Sequence, residues 1–380
     1  MKNNVSEKAK SYIHLTATSH DIINIANVLR YKDSFSYKVL PDMIELERQF
    51  IMLARKEKKT IQIGRTHGQH AEPITFGFSI AQYVDRWGSR ILKVKKSVDN
   101  LVGKFSGSVG SYNALSLFLD NPEEFENELL KNFGLKPARI SSQNISPELM
   151  LDLLHSIISS WGVLADYAND MRQLHRTEIC EISENFDLNY IGSSTMPHKQ
   201  NPLNFENILS AWKKFMPHII TSYMSQISEH QGDLTNSLSS RYIPELIVMF
   251  ESSILRAIKI TKNIRINRNK MKENFIESSN KIITEPLQIL LSQVGYINSF
   301  KKIQDLIKES LNTSVPLLEI VKNDKELKSY MKKFSEKGLN ILCQPENYIG
   351  IASEKTEQLC NYWEGKMISF LEELDPFLIK

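Results

Sequence analysis

Between residues 80 and 101 the apolar side chains fall at Ile80, Val84, Trp87, Ile91, Val94, Val98 and Leu101, in alternating steps of four and three. That is the period of a helix burying one stripe along a bundle seam. Pro73 stands near its start, where a missing N–H costs nothing. A second long helical segment spans roughly 21–59 and is expected to bend near Pro41, because proline removes a helix-interior hydrogen bond. A third runs from about Pro147 to Glu184. A fourth begins near Pro202, passes Trp212 and kinks at Pro217, and a fifth covers Pro244 to Ile264. Segments of this length describe an elongated all-α bundle. β-Branched residues form only short runs that do not recur at strand spacing. From 271 onward the helical patterns shorten, broken at Pro286, Gly295, Pro316 and Pro345, which suggests a small helical C-terminal domain.

Bulk chemistry narrows the function. The 380 residues are 41% hydrophobic and 24% charged, with a formal net charge of +3. This gives no nucleic-acid footprint, and runs such as KVKK (93–96) read as a solvated helix face. Cys180, Cys343 and Cys360 lie far apart without a CxxC pair, which fits a reducing compartment and argues against a structural zinc site or a disulfide scaffold. The N-terminus has no apolar leader core and no stretch reads as a membrane span, so a cytoplasmic protein without membrane partners is expected.

Four polar islands interrupt the helices. HLTATSHD (14–21) offers Thr18 and Ser19 either as caps for the next helix or, with its free amides, as an anion site. IGRTHGQHAEP (63–73) crowds Arg65, His67, Gln69, His70 and Glu72 among two glycines and a proline. Its histidines lack HExxH-type spacing and suit proton transfer better than metal binding. IGSSTMPHKQNP (191–202) is either a connector or a reactive loop. SEHQGDLTNSLSSRYIPE (228–245) again sets hydroxyls and an arginine before an apolar helix. Islands at the ends of long helices can converge at one end of a bundle or across subunits, offering donors to a substrate with several negative charges.

These segments also carry a family resemblance. GSSTMPHKQNP (192–202) resembles the GSSxMPxKxNP signature of the fumarase/aspartase superfamily. IGRTHGQHAEPITFG (63–77), HLTATSHD, SGSVGSYN (106–113), MRQLHRTEICEISE (171–184), GDLTNSLSSR (232–241) and ITEPLQILLSQVGY (283–296) are similar, in order, to segments of its adenylosuccinate lyase branch. The resemblance covers nearly all of the chain from about residue 12. It implies a central bundle of the fumarase/aspartase type over 21–268 and a helical C-terminal domain over 269–380. It also implies a homotetramer with shared active sites and β-elimination of fumarate from an anionic substrate bearing a succinyl group and a phosphate. No metal or organic cofactor is implied. By the same resemblance Ser193 is the base, and His67 protonates the leaving nitrogen. Lys199 and Asn201 hold the succinyl carboxylates, and Met196 lies in the same loop. Thr18, Ser19, His14, Arg65, Thr66 and Gln143 fall to substrate binding, with Ser237 and Arg241 on the phosphate side. A serine alkoxide needs neighbouring positive charge and amide donors, and the aci-carboxylate that follows needs preorganised ones.

Two departures from the branch's pattern stand out. Its members carry several dozen residues before the HLTATSHD-like segment, so residues 1–20 read as the remnant of an N-terminal domain. The rest is then supplied by a separate polypeptide, absent from a truncated relative, or trimmed away. The branch also has an arginine where this chain has Gly232. Loss of such a charge-assisted contact costs about 1.5–3 kcal/mol, which predicts weakened turnover or a different amino-succinate substrate, with His230 the nearest compensating group. A non-catalytic paralogue within a lyase assembly is the third expectation.

Overall fold

The computed structural model describes residues 4–185, 195, 196 and 198–374, with side chains described as far as 371. After a short helix α1 (Glu7–Lys10) come α2 (Ser19–Ser34), α3 (Leu40–Lys56), strands β1 (Ile61–Thr66) and β2 (Gln69–Thr75), α4 (Phe76–Asp99), α5 (Pro122–Lys131) and α6 (Glu148–Leu174). Next are β3 (Ile182–Ser183), α7 (Leu203–Phe215), α8 (His218–Met224), α9 (Ile243–Asn263) and β4 (Arg265–Ile266). The C-terminal part holds α10 (Arg268–Ile282), α11 (Thr284–Gln293), α12 (Ser299–Thr313), α13 (Leu317–Asn323), α14 (Leu327–Met331), α15 (Glu336–Cys343) and α16 (Ala352–Leu374).

The apolar stripe from Ile80 to Val98 becomes the seam of α4, and Leu101 follows just past its end. Ile80, Val84, Trp87, Ile91 and Val94 are fully buried, and Val98 and Leu101 nearly so. The Thr75 hydroxyl starts the helix by accepting the Phe78 N–H at 3.2 Å. The expected bend near Pro41 is a π-helical turn, Phe35–Val39, between α2 and α3. Pro41 cannot donate to the preceding turn, and its ring crowds the carbonyl there. In the wider turn the Leu40 N–H reaches back to Phe35 O, and Pro41 falls in the first turn of α3.

Aromatic contacts lock the bundle. Tyr167 of α6 meets Phe50 of α3 and Tyr83 of α4 edge-on, at 4.8 and 5.3 Å between centroids, and Trp161 stacks on Phe215 of α7 at 5.5 Å. The Tyr167 hydroxyl bonds that of Thr261 on α9 at 2.9 Å. Among the described helices α6 alone is long and apolar enough to cross a membrane. Half of its most apolar window is buried, because it runs through this core.

Two findings differ from the sequence expectation. The third helix stops at Leu174 rather than near Glu184, and the chain turns through Cys180 (φ 50°) into β3, which pairs antiparallel with β4. The C-terminal unit expected over 269–380 also divides. Ile283, Leu287, Leu291, Ile303, Leu306, Leu317, Val321, Leu327 and Leu342 build a separate core. Helix α16 instead returns to the bundle, where Cys360, Trp363, Met367 and Phe370 join the main core. The apolar face of α16 is covered by α3 and α4, so it belongs physically with the bundle.

Candidate active site

Chain direction sorts the islands between two ends of the bundle. Helix α4 leaves the β1–β2 hairpin and delivers the chain to 100–113, while α6 starts beside 141–147 and finishes next to β3. Its 27 residues span about 40 Å at the usual rise of ~1.5 Å per residue. Helix α9 runs the same way, from the fourth island to β4. One end therefore carries the second island and the described residues of the third (195, 196 and 198–202). The other carries the first and fourth.

At the first end β1 and β2 pair antiparallel up to Thr66 opposite Gln69, leaving His67 and Gly68 as a two-residue turn. Both have positive φ, 54° and 73°, which is the type I′ geometry whose twist suits a hairpin. Glycine takes this conformation without cost and histidine at a modest one. The result lifts His67 to an exposed tip, with Thr66 exposed beside it. Beneath the tip, buried Glu181 accepts from Arg65 Nη2 at 2.6 Å, Gln62 Nε2 at 2.8 Å and Asn274 Nδ2 at 2.9 Å. Arg65 thus turns its guanidinium inward and anchors the hairpin to α10 through Glu181. His70 Nδ1 lies 2.5 Å from Ser278 Oγ, and burial, then the Arg65 charge, hold its imidazole below the ordinary value. Contact with Glu285, then burial, raises the Glu72 carboxyl to about 7.

The third island follows β3. Ser193, the expected base, lies outside the described residues. Met196 and Lys199 are exposed, Lys199 N–H donates to Met196 O at 2.9 Å, and Asn201 is half-buried with its carbonyl accepting Leu203 N–H at 2.8 Å. His175 Nε2 is 3.0 Å from Gln200 O. Just before the loop, nearly buried Glu184 accepts from Asn204 N and Phe205 N, both at 3.0 Å, and from Asn204 Nδ2 at 2.6 Å.

At the opposite end the first island is fixed by Asp21, whose carboxylate accepts Thr18 N–H at 2.8 Å and pairs with the fully buried Lys104. Lys104 also donates to Gly107 O at 2.9 Å. Ser106 then bonds Ser141 at 2.8 Å, and Gln143 N–H donates to Gln231 O at 2.9 Å. This chain of contacts joins 14–21, 104–113, 141–147 and 228–243. Between them opens a cleft of about 660 Å³, whose lining includes His20, Ser142, His230, Gln231 and Ser237. Arg241 lines an adjoining cavity of about 620 Å³. Ser19 is exposed, Thr18 is half-buried at the start of α2, and His14 is exposed with φ 67°. Gly232 has φ 145°, and a Cβ there would stand 3.0 Å from Gln143 Oε1 and 3.1 Å from Gln143 Cβ.

Sequence reasoning found the polar tips and missed what holds them. The hairpin itself was not predicted; its one local trace is Gly68 after His67, with Ile61 and Ile63 on one side and Ile74 and Thr75 on the other. Asp21, Lys104, Glu181 and Glu184 gave no such signal, because a buried charge is identified by its partner and not by its neighbours in sequence.

The matched families and relatives place the chain in the fumarase/aspartase superfamily. In fold the chain is similar to the crystal structures of 3-carboxy-cis,cis-muconate lactonizing enzyme from Pseudomonas putida and of fumarate lyase from Mesorhizobium sp. BNC1. Each gives a TM-score of 0.81 at 21% identity, covering 94% and 95% of this chain and 78% and 80% of theirs. Residues 2–216 match the lyase family, and 228–349 match the adenylosuccinate lyase C-terminal family. The chain is 35% identical over 357 residues to the adenylosuccinate lyase of Pyrococcus abyssi, covering 93% of this chain and 78% of that one. It is 30% identical over 358 residues to the enzyme of Archaeoglobus fulgidus, at 92% and 78% coverage. The chain belongs to the adenylosuccinate lyase branch of the superfamily.

Proposed function

We propose that this chain is a carbon–nitrogen lyase that eliminates fumarate from adenylosuccinate or its carboxamide ribotide counterpart. The observation that carries the reading is the convergence of the first and fourth islands and the 141–147 loop on one cleft, where His20, His230 and several hydroxyls stand among apolar side chains. Hydroxyls, amides and imidazoles there suit a phosphorylated, multiply anionic ligand. In this reading Thr18, Ser19, His14, Gln143, Ser237 and Arg241 bind substrate from that end.

The hairpin end supplies the chemistry. Ser193 takes the proton from the carbon beside a succinyl carboxylate. The aci-carboxylate charge that develops is met by Lys199 and Asn201, with Met196 beside them. The C–N bond then breaks, its electron pair goes to nitrogen, and His67 delivers the proton that completes the amine. Thr66 contacts substrate beside His67, and Arg65 contributes by fixing the hairpin. Because His67, Thr66, Lys199 and Asn201 sit at the opposite end of one chain from the cleft, a complete site draws its groups from different subunits, as in a homotetramer. Such an enzyme works in the cytoplasm.

The test is fumarate release followed by absorbance. The unaltered chain should release fumarate from adenylosuccinate, and Ser193→Ala should lose roughly 10²–10⁴-fold in kcat, the usual worth of a positioned proton-transfer group, with KM little changed. No release by the unaltered chain, or full activity in the variant, would sink the assignment.

A further inference from the structure

The groups flanking the third island are held by a residue that no reaction step uses. Glu184 is only 2% exposed and stands at the entrance to the loop, and the residues it bonds stand at the exit. Its Oε1 takes the N–H groups of Asn204 and Phe205, second and third residues of α7, and its Oε2 takes the Asn204 side-chain amide. First-turn amides have no acceptor within their own helix, and a carboxylate there also meets the positive end of the helix dipole. The polarity is enforced one step further, since Asn204 Oδ1 accepts from Arg256 Nη1 of α9 at 2.6 Å. Asn204 therefore cannot flip its amide without setting donor against donor. Immediately before α7, the Asn201 carbonyl accepts the Leu203 N–H.

We propose that Glu184 is a positioning residue for the elimination. It staples the entrance of the loop to the first turn of α7, and so fixes Lys199 and Asn201 where charge develops in the transition state. The proposal rests on the lyase reading for its catalytic half and on geometry alone for the staple. Alanine at 184 frees the start of α7. Glutamine keeps Oε1 for the two backbone amides but sets an NH₂ against Asn204 Nδ2. Changing Asn204 to aspartate as well restores a donor–acceptor pair at that contact and leaves an oxygen for Arg256.

The experiment uses the full chain in four forms: unaltered, Glu184→Ala, Glu184→Gln, and Glu184→Gln with Asn204→Asp. Trp363→Phe, which loses a distant hydrogen bond to Asp85 of 3.0 Å, serves as a stability control. Hydrogen exchange read on a peptide covering 203–210 should be faster in Glu184→Ala. Its kcat should fall by roughly 10–100-fold, the cost of a misplacement near 1 Å, with a smaller rise in KM, because Lys199 and Asn201 meet the carboxylates of bound substrate but meet more charge in the transition state. The double variant should recover most of the loss seen in Glu184→Gln. Unchanged exchange overturns the staple. Faster exchange with normal kcat, or a kcat loss no larger than that of Trp363→Phe at equal loss of Tm, overturns the positioning role. No turnover by the unaltered chain overturns the lyase reading, and exchange still decides the staple.

Discussion

At the scale of single residues, two positions make opposite demands. Glu47 of α3 is fully buried, and neither carboxylate oxygen has a hydrogen-bond partner. Burial, then the charge of Asp85, pushes its pKa well above the ordinary value, so the folded chain holds a proton there that the unfolded chain releases. The stabilising contribution is complete below the unfolded carboxyl pKa of about 4.3. It is lost as pH rises toward the folded pKa, by up to about 1.4 kcal/mol per pH unit. Glu47→Met fills similar volume without a titrating group, so its advantage in Tm over the unaltered chain should widen from pH 4 to pH 8. Parallel Tm curves for the two proteins would show that Glu47 is not protonated on folding. Gly232 makes the reverse demand, since it must remain glycine. Restoring the branch's arginine with Gly232→Arg puts a side chain at φ 145° and drives its Cβ against Gln143. The expected outcome is a loss of about 1 kcal/mol or more of stability and no gain in turnover, read by thermal melts and fumarate release. A rise in kcat would mean that the 141–147 and 228–243 loops rearrange freely.

At the scale of elements, the hairpin separates what the sequence discloses from what it does not. The long helices were legible because burial repeats along them, from Ile80 to Leu101, and Pro41 and Pro217 marked their interruptions. The hairpin is two short strands whose inward positions, such as Ile63 and Pro73, are too few to set a period against five long helices. Its anchor, Glu181, is over a hundred residues away and can be read only in three dimensions. The same reasoning shows how to test His67 without unmaking the turn. Asparagine tolerates positive φ as well as histidine does and is favoured at this position of a type I′ turn. His67→Asn should therefore leave Tm within about 0.5 kcal/mol equivalent of the unaltered chain, while kcat falls roughly 10²–10⁴-fold. An equal fall in stability and activity would make His67 a residue of the turn and not of the reaction.

At the scale of the whole molecule, helix length decides where a site can form. The hairpin and the described residues of the third island stand at one end of α6, and the cleft of the first and fourth islands stands at the other. No rotamer or loop adjustment spans a helix of about 40 Å, so one chain cannot bring His67 and Ser237 to one substrate. A second chain packed antiparallel beside the first can, because it sets its hairpin end against the cleft end of its neighbour. The consequence is measurable by mixing. His67→Asn damages only the hairpin end, and a double change, Ser237→Ala with Arg241→Ala, damages only the cleft end. Each variant alone should be nearly inactive. Dissociated, mixed in equal amounts and reassociated, they should recover up to about one quarter of the unaltered activity, because a site drawing its two ends independently from two pools is intact that often. Both ends contributed by the same chain would give no recovery at any mixing ratio.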